Sequence, residues 1–385
     1  MAAFDLEKYL KELEELVNID SGSYDIEGLT EMAEKLKSLY DEAGFFTTLT
    51  FQGEEKRPHL VVTTQDPSSF EGKERPVDIM FIGHMDTVFD RGTAKERPFR
   101  IEDGKAYGPG VSDMKAGDLM ALYLAKELME RHPGLSISMI HNSDEEIGSD
   151  SSNADLIKWS GLAKYALDME PGRISGNFVK ERKGCCDYKV DFRGVPGHAG
   201  NAYMRCHSAV SEMARVITET EALKDWEDGV TVNCGIASGG TATNVVPGSA
   251  ELYFDLRYKT PEQRRAFEIG LNDIVKNPRD PEVEIVWQKL TDMPPMMFIP
   301  ETEYMVNVFT EEMSKMGLDY DFESAGGASD GSFVSAAGTP ILDACGVRGA
   351  NEHTDQEYLL VDDIEIRYNL VLNSLEHIIN EKNLG

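Results

Sequence analysis

Apolar residues recur every three or four positions over Asp5–Val17, where Leu6, Tyr9, Leu10, Leu13, Leu16 and Val17 form one stripe of an acidic segment. That spacing predicts an amphipathic helix with its apolar face in a core. A second helix is expected over Ile26–Ala43, closed by Gly44. Short apolar runs follow at Leu60–Thr64, Ile79–Ile82, Ile137–Ile140, Tyr165–Leu167 and Ile341–Leu342. Helical patterns lie between them, notably Met114–Glu130. Strands alternating with helices predict an α/β sheet with helices on both faces. Several of the most polar clusters come directly after the strand-like runs, where open α/β sheets place their sites.

From about Lys183 the pattern changes. Asp187–Phe192, Gly229–Ala237 and Ser249–Tyr258 alternate as half-buried strands, and Val283–Trp287 reads as a fourth. Helical stretches at Ser208–Thr220 and Pro261–Ile274 complete a β-α-β-β-α-β order, that of a ferredoxin-like unit. After Pro294–Pro295 the α/β character returns, ending in a helix over Ile364–Asn380. The expected architecture is α/β: one domain from residues 1–182 and 295–385, with an α+β domain inserted over 183–294. The Met-rich Asp292–Met297 stretch would form the hinge between them.

Length and composition narrow the function. A chain of 385 residues exceeds one ordinary core, in keeping with two domains. No apolar run approaches the ~18 residues of a membrane helix, and the acidic N-terminal segment has no apolar signal region. The five cysteines are odd in number and lack CxxC spacing, as expected for reduced thiols in the cytoplasm. A formal charge of −31 repels phosphate backbones and anionic membranes, which argues against nucleic-acid or membrane binding.

Five polar clusters carry the candidate chemistry. His84 and Asp86 end the Ile79–Ile82 run, and residues two apart on a strand face one side. A carboxylate there fixes the tautomer of a metal-binding imidazole, although the pair also suits a plain strand end. Asp113 follows the rigid turn Gly108-Pro109-Gly110 where a helix begins, a position that also suits an N-cap. Asp144, Glu145 and Glu146 follow Ile137–Ile140; three adjacent carboxylates are either solvated or compensated by cations. Neighbouring glutamates can divide the work, one binding metal and one acting as general base. Glu170 ends another strand, and His353 lies in Asn351–Asp355. Together His84, Asp113, Glu146, Glu170 and His353 supply two imidazoles and three carboxylates, enough for two divalent ions sharing a carboxylate and a water.

The segments GHMDTVF at Gly83, YGPGVSDMKAG at Tyr107, SDEEIGS at Ser143, Met169-Glu170-Pro171, PGHAG at Pro196 and EHTD at Glu352 resemble the M20 di-zinc metallopeptidases. The stretch from HMDTVF to AYGPG is most similar to the glutamate carboxypeptidase branch, the carboxypeptidase G2 type. Acetylornithine deacetylases and succinyl-diaminopimelate desuccinylases are similar but more distant there. The resemblance runs from about Leu6 to the last helix. It implies a split catalytic domain with an inserted dimerisation or lid domain.

By position, the resemblance implies that His84 and Glu170 hold one zinc, Glu146 and His353 the other, and Asp113 bridges both. Asp86 would orient His84, Glu145 would be the general acid/base, and Asp113–Met114 would be a cis peptide. His198 would reach the active site of a partner subunit and stabilise the oxyanion, so a homodimer is expected. Asn244 and Arg257 would contact substrate, and Arg257 suits a bidentate grip on a carboxylate. The turn at Gly326 and Gly327 suits presentation of backbone N–H donors to an anion. Cobalt or manganese would fit the same ligands as the two zinc ions. The activity implied is hydrolysis of a small peptide or N-acyl amino acid to release a C-terminal residue. Deacylation, dipeptidase activity and, more distantly, non-catalytic metal or peptide binding are the alternatives. No basic residue is matched to recognition of a glutamate side chain. His59, His132, His141, His207 and His377 carry no motif and are expected to be structural or surface residues.

Overall fold

A computed structural model describes residues 4–385; the first three, within the expected 1–182 segment, lie outside the described residues. The chain divides into two compact units. One runs to Glu181 and resumes over Phe298–Ser324 and Ser329–Gly385; the other comprises Arg182–Met297 and Ala325–Ala328.

The first unit is built on a mixed six-stranded sheet in the order Phe46–Gln52, Arg57–Thr63, Ile137–Asn142, Val77–His84, Ala163–Asp168, Ile341–Leu342. The last four strands run parallel, while Arg57–Thr63 pairs antiparallel with both of its neighbours. Val77–His84 is buried along its whole length, which explains its continuous apolar reading. Its C-terminal end is in register with two others, His84 opposite Asn142 and Ile82 opposite Asp168. Three parallel strands therefore finish side by side, and the chain leaving each carries acidic residues.

Helices pack on this sheet. Leu6–Val17 buries Tyr9, Leu13, Leu16 and Val17, the stripe expected from spacing, and Asp5 accepts the Lys8 N–H at 3.0 Å as N-cap. Ile26–Glu42 is capped by Asp25 and ends in Gly44 at φ +87°. The helix expected to start at Met114 instead starts at Ala116 and continues to Arg131. Val111–Lys115 forms a separate wide turn, because Asp113 and Met114 have non-helical dihedrals. Val361–Lys382 packs on Pro300–Met316 and on Ala116–Arg131. No helix among the described residues is long and apolar enough to cross a membrane.

The second unit has the expected ferredoxin-like arrangement. Its antiparallel sheet runs in the order Thr231–Gly239, Ser249–Tyr258, Gly184–Arg193, Glu284–Lys289. The two central strands alternate in burial, sending Tyr188, Val190, Phe192, Leu252, Phe254 and Leu256 into one core. Helices Ala209–Glu221 and Pro261–Lys276 close that core with Met213, Val216, Phe267 and Leu271. A Thr260–Gln263 capping box starts the second helix.

Candidate metal centre

Every member of the expected ligand set lies in the first unit, His84, Glu146 and Glu170 at or beyond the strand ends described above, Asp113 in the Val111–Lys115 turn and His353 in the loop after Gly349–Ala350. His84 is the last residue of its strand and is buried. Its Nε2 lies 3.2 Å from Asp113 Oδ1 and 3.6 Å from Glu170 Oε1. His353 Nε2 lies 3.2 Å from Asp113 Oδ2 and 3.1 Å from Glu146 Oε2. Each oxygen of Asp113 thus faces a different imidazole, with a second carboxylate beside each ring. Asp113 is no N-cap: it sits inside the irregular turn, where the Asp113–Met114 peptide is cis.

Asp86 does more than orient an imidazole. His84 Nδ1 is 3.0 Å from the Asp86 backbone oxygen and 3.4 Å from its Oδ1. A donating Nδ1–H leaves the Nε2 lone pair directed at Asp113 and Glu170. The Asp86 carboxylate accepts the backbone N–H groups of Glu145 at 3.1 Å and Glu146 at 3.2 Å, and the Ser23 hydroxyl at 2.8 Å. Asp86 therefore sets the first imidazole chiefly through its backbone oxygen, and the loop carrying both glutamates through its fully buried carboxylate.

The electrostatics call for cations. Asp113, Glu145, Glu146 and Glu170 gather around only two imidazoles. Burial, then the charge of Glu170, pushes Glu145 well above the usual carboxylate range. Burial, then Asp113, also raises Glu170. Burial opposes charging of His84, but hydrogen bonds to Asp113, Asp86 and Glu170 outweigh it and raise its pKa well above the ordinary value. Hydrogen bonds to Asp113 and Glu146 push His353 up to about 10. For Asp113, burial is outweighed by hydrogen bonds to His353 and His84, which lower its pKa. Ligand atoms of His84, Asp113 and Glu146, and of His84, Glu145 and Glu170, lie within 4.8 Å of one another. Nitrogen and oxygen donors in this grouping suit divalent metal ions.

Further residues, missed by motif, hold this arrangement. Buried Glu357 accepts the backbone N–H groups of Gly110, Ser112 and Asp113 at 2.9, 2.8 and 3.0 Å. Burial pushes its carboxyl up to about 7. Behind the strand, Tyr40 Oη is 2.9 Å from His141 Nε2, and His141 Nδ1 is 2.7 Å from Asp118 Oδ1. His141 is structural, as expected, but buried. Asp330 binds Ser149 Oγ at 2.5 Å and also Asn142. The only sequence signal for Glu357 or Asp330 was an acidic residue near a motif.

The other expected site residues belong to the second unit. His198 is exposed, and its Nδ1 accepts the backbone N–H groups of Gly200 at 3.1 Å and Asn201 at 3.2 Å. Its neutral form therefore carries the proton on Nε2. The backbone oxygen of Asn244 accepts the Ala199 N–H at 2.9 Å. Arg257 Nε donates to Asp255 at 3.0 Å. A Cβ at Gly326 or Gly327 would meet nothing within 4 Å, so crowding does not require glycine there.

Residues 80–377 match Peptidase family M20/M25/M40, and the chain belongs to that family. It is 29% identical over 367 residues to carboxypeptidase G2 of Pseudomonas sp. (strain RS-16), covering 93% of this chain and 86% of that protein. It is 26% identical over 336 residues to a succinyl-diaminopimelate desuccinylase of Thioalkalivibrio sulfidiphilus, covering 80% and 86%. The aminopeptidase PepT structure from Bacillus cereus superposes with a TM-score of 0.79 at 22% identity, covering 97% of this chain and 98% of that one. The protein is accordingly a metallopeptidase or amidohydrolase.

Proposed function

We propose that the protein hydrolyses an amide bond to release a C-terminal amino acid, as a carboxypeptidase acting on small peptides or N-acyl amino acids. The observation that carries this reading is the Asp113 carboxylate, which presents Oδ1 to His84 and Oδ2 to His353, each at 3.2 Å. In this reading His84 and Glu170 would hold one zinc and Glu146 and His353 the other, with Asp113 a ligand common to both and cobalt or manganese as substitutes. When bound, such a pair supplies Lewis acidity at the carbonyl and a water acidified toward a pKa of ~7.

The chain's own groups do the rest. Glu145 takes the proton of the attacking water and returns it to the leaving amine. Asp86 keeps Glu145 in place through its backbone N–H. His198, with its proton on Nε2, donates to the oxyanion in the site of a partner subunit, which makes the protein a homodimer. Asn244, Arg257 and the Gly326–Gly327 turn bind substrate, the last two holding the free α-carboxylate. We assign catalysis to the first unit, which the expected 1–182 and 295–385 approximate, the inserted role to the second, which 183–294 approximates, and the protein to the cytoplasm.

Likeness to a desuccinylase supports a second reading, deacylation of an N-acyl amino acid. Amino-acid release before and after chelation separates these readings. The substrates are a C-terminal-glutamate acyl compound, N-acetylated amino acids and plain dipeptides. Metal-dependent release from the first supports the carboxypeptidase, and release only from the second supports the deacylase. No release from any of them by zinc-loaded protein overturns both.

A further inference from the structure

Arg367, on the Val361–Lys382 helix, is fully buried, with its guanidinium 3.7 Å from the centre of the Phe178 ring. Its donors meet backbone oxygens: Nε donates to Gly346 at 2.9 Å, Nη1 to Gly176 at 2.8 Å and Nη2 to Ala344 at 2.5 Å. Asp363, one turn earlier on the same helix, is instead engaged by Arg348, through Nε at 2.7 Å and the backbone N–H at 3.0 Å. Burial lowers the Arg367 pKa only to about 10, so the charge persists at neutral pH. A charge set among carbonyl oxygens rather than on a carboxylate is costly to desolvate, and an apolar side chain of that size would fill the space at less cost.

The carbonyls it binds belong to the chain that holds the Glu170 turn. Gly346 N–H donates to the Glu170 backbone oxygen at 2.9 Å, Cys345 N–H to that of Asp168 at 3.0 Å, and Gly172 N–H to that of Val347 at 2.9 Å. The packing is close. A Cβ at Gly346 would meet the Met169 and Glu170 backbone oxygens at 2.5 and 2.8 Å. One at Gly172 would meet the Gly346 oxygen at 2.6 Å and Arg367 Nη2 at 2.9 Å. Ala344 sits at φ +58°, a left-handed conformation uncommon outside glycine, and its oxygen is one of the three on Arg367.

We propose that Arg367 is a positioning residue for Glu170: it fixes Gly346 through its oxygen, and the N–H of the same glycine fixes the Glu170 backbone. The inference rests on the reading above in which Glu170 and His84 hold one ion, and extends it past the ligands themselves. The other ion has separate supports. Asp86 holds the backbone N–H groups of Glu145 and Glu146, and the loop of His353 leaves a ladder in which Gly349–Ala350 pairs with Tyr358–Leu360. Loss of Arg367 should therefore loosen one ion and spare the other.

The test measures the zinc dissociation constants of the full-length protein by competition with a chelator. It compares the parent, Arg367→Met, Glu170→Ala and the double variant. Arg367→Met should weaken one ion roughly 10- to 100-fold and leave the other within about threefold. In the Glu170→Ala chain the same substitution should add little, because the group through which it acts is gone. Both ions weakened alike, the full effect repeated in the double variant, or unchanged affinity in Arg367→Met each overturn the positioning role while Glu170 stays a ligand. Should Arg367→Met not fold, Arg367→Lys, which keeps the charge but not the fork on three carbonyls, takes its place in the same cycle. Zinc affinity untouched by Glu170→Ala overturns the ligand reading itself, and the positioning role with it.

Discussion

The Glu357 carboxylate receives the backbone N–H of Asp113 at 3.0 Å, and those of Ser112 and Gly110 with it, so a buried acid pins the turn that presents the central carboxylate. Glu357→Gln replaces one acceptor oxygen by a donor that faces a backbone N–H. The expected cost is roughly 1–3 kcal/mol of stability for the group left unsatisfied. Zinc affinity should fall roughly 10- to 100-fold, the usual effect of removing a partner that orients a ligand. Denaturant unfolding and a zinc titration measure both. Unchanged zinc affinity in a folded variant would show that Asp113 holds its position without Glu357.

Glu145 lies within ligand distance of His84 and Glu170 yet is assigned to proton transfer. Glu145→Gln keeps its shape and its backbone bond to Asp86 but cannot take a proton. We expect kcat to fall by roughly 10²- to 10⁴-fold with two ions still bound per chain. Metal content and steady-state kinetics on one preparation check this. Loss of an ion along with activity would make Glu145 a ligand instead.

Residues that meet one another were legible when their chemistry sat in a run of sequence. The strand Val77–His84 is buried throughout and reads as apolar; the acids after it and after its neighbours converge because parallel strands end together. Phe46–Gln52 was missed because, as an edge strand with Phe46, Thr48 and Phe51 exposed and no residue buried, it shows no clean apolar–polar alternation. The pairings of Arg100–Glu102, Lys105–Tyr107 and Tyr358–Leu360 are too short for a period to appear. Glu357, and the hold of Asp86 on the Glu145–Glu146 loop, were harder still. Their partners are backbone N–H groups, which every residue possesses, so no motif marks the contact. Asp113 taken by itself suits a cap before a helix as well as a ligand, and the observed dihedrals place it in a separate turn.

Gly117, the second residue of the Ala116–Arg131 helix, packs next to the Met169–Glu170 turn. A Cβ there would meet the Met169 backbone oxygen at 1.9 Å, an atom that cannot swing aside. Gly117→Ala should therefore destabilise the fold by about 1–3 kcal/mol despite alanine's better helix propensity. The displaced Met169 carries Glu170 with it, so zinc affinity should also drop. Gly134→Ala, where the nearest atom is 3.1 Å away at the C-terminal residue, serves as the milder comparison. Equal unfolding midpoints for the two variants would contradict the close approach.

Asp330 gives a pH dependence whose sign is unusual for a carboxylate. Burial raises it to about 7, although Ser149 and Asn142 bind it. An unfolded aspartate titrates near ~3.9. Between these values the folded protein holds a proton that the unfolded chain has released. Unfolding free energy must then fall as pH rises through this interval. Asp330→Asn keeps the shape and removes the titration. In chelated protein, the loss of stability between about pH 4 and pH 7 should be smaller in Asp330→Asn than in the parent. Glu357, also raised, contributes equally to both proteins and cancels in the difference. Denaturant unfolding at a series of pH values measures it; parallel curves would mean that Asp330 is ionised in the fold, with Ser149 and Asn142 sufficient to carry its charge.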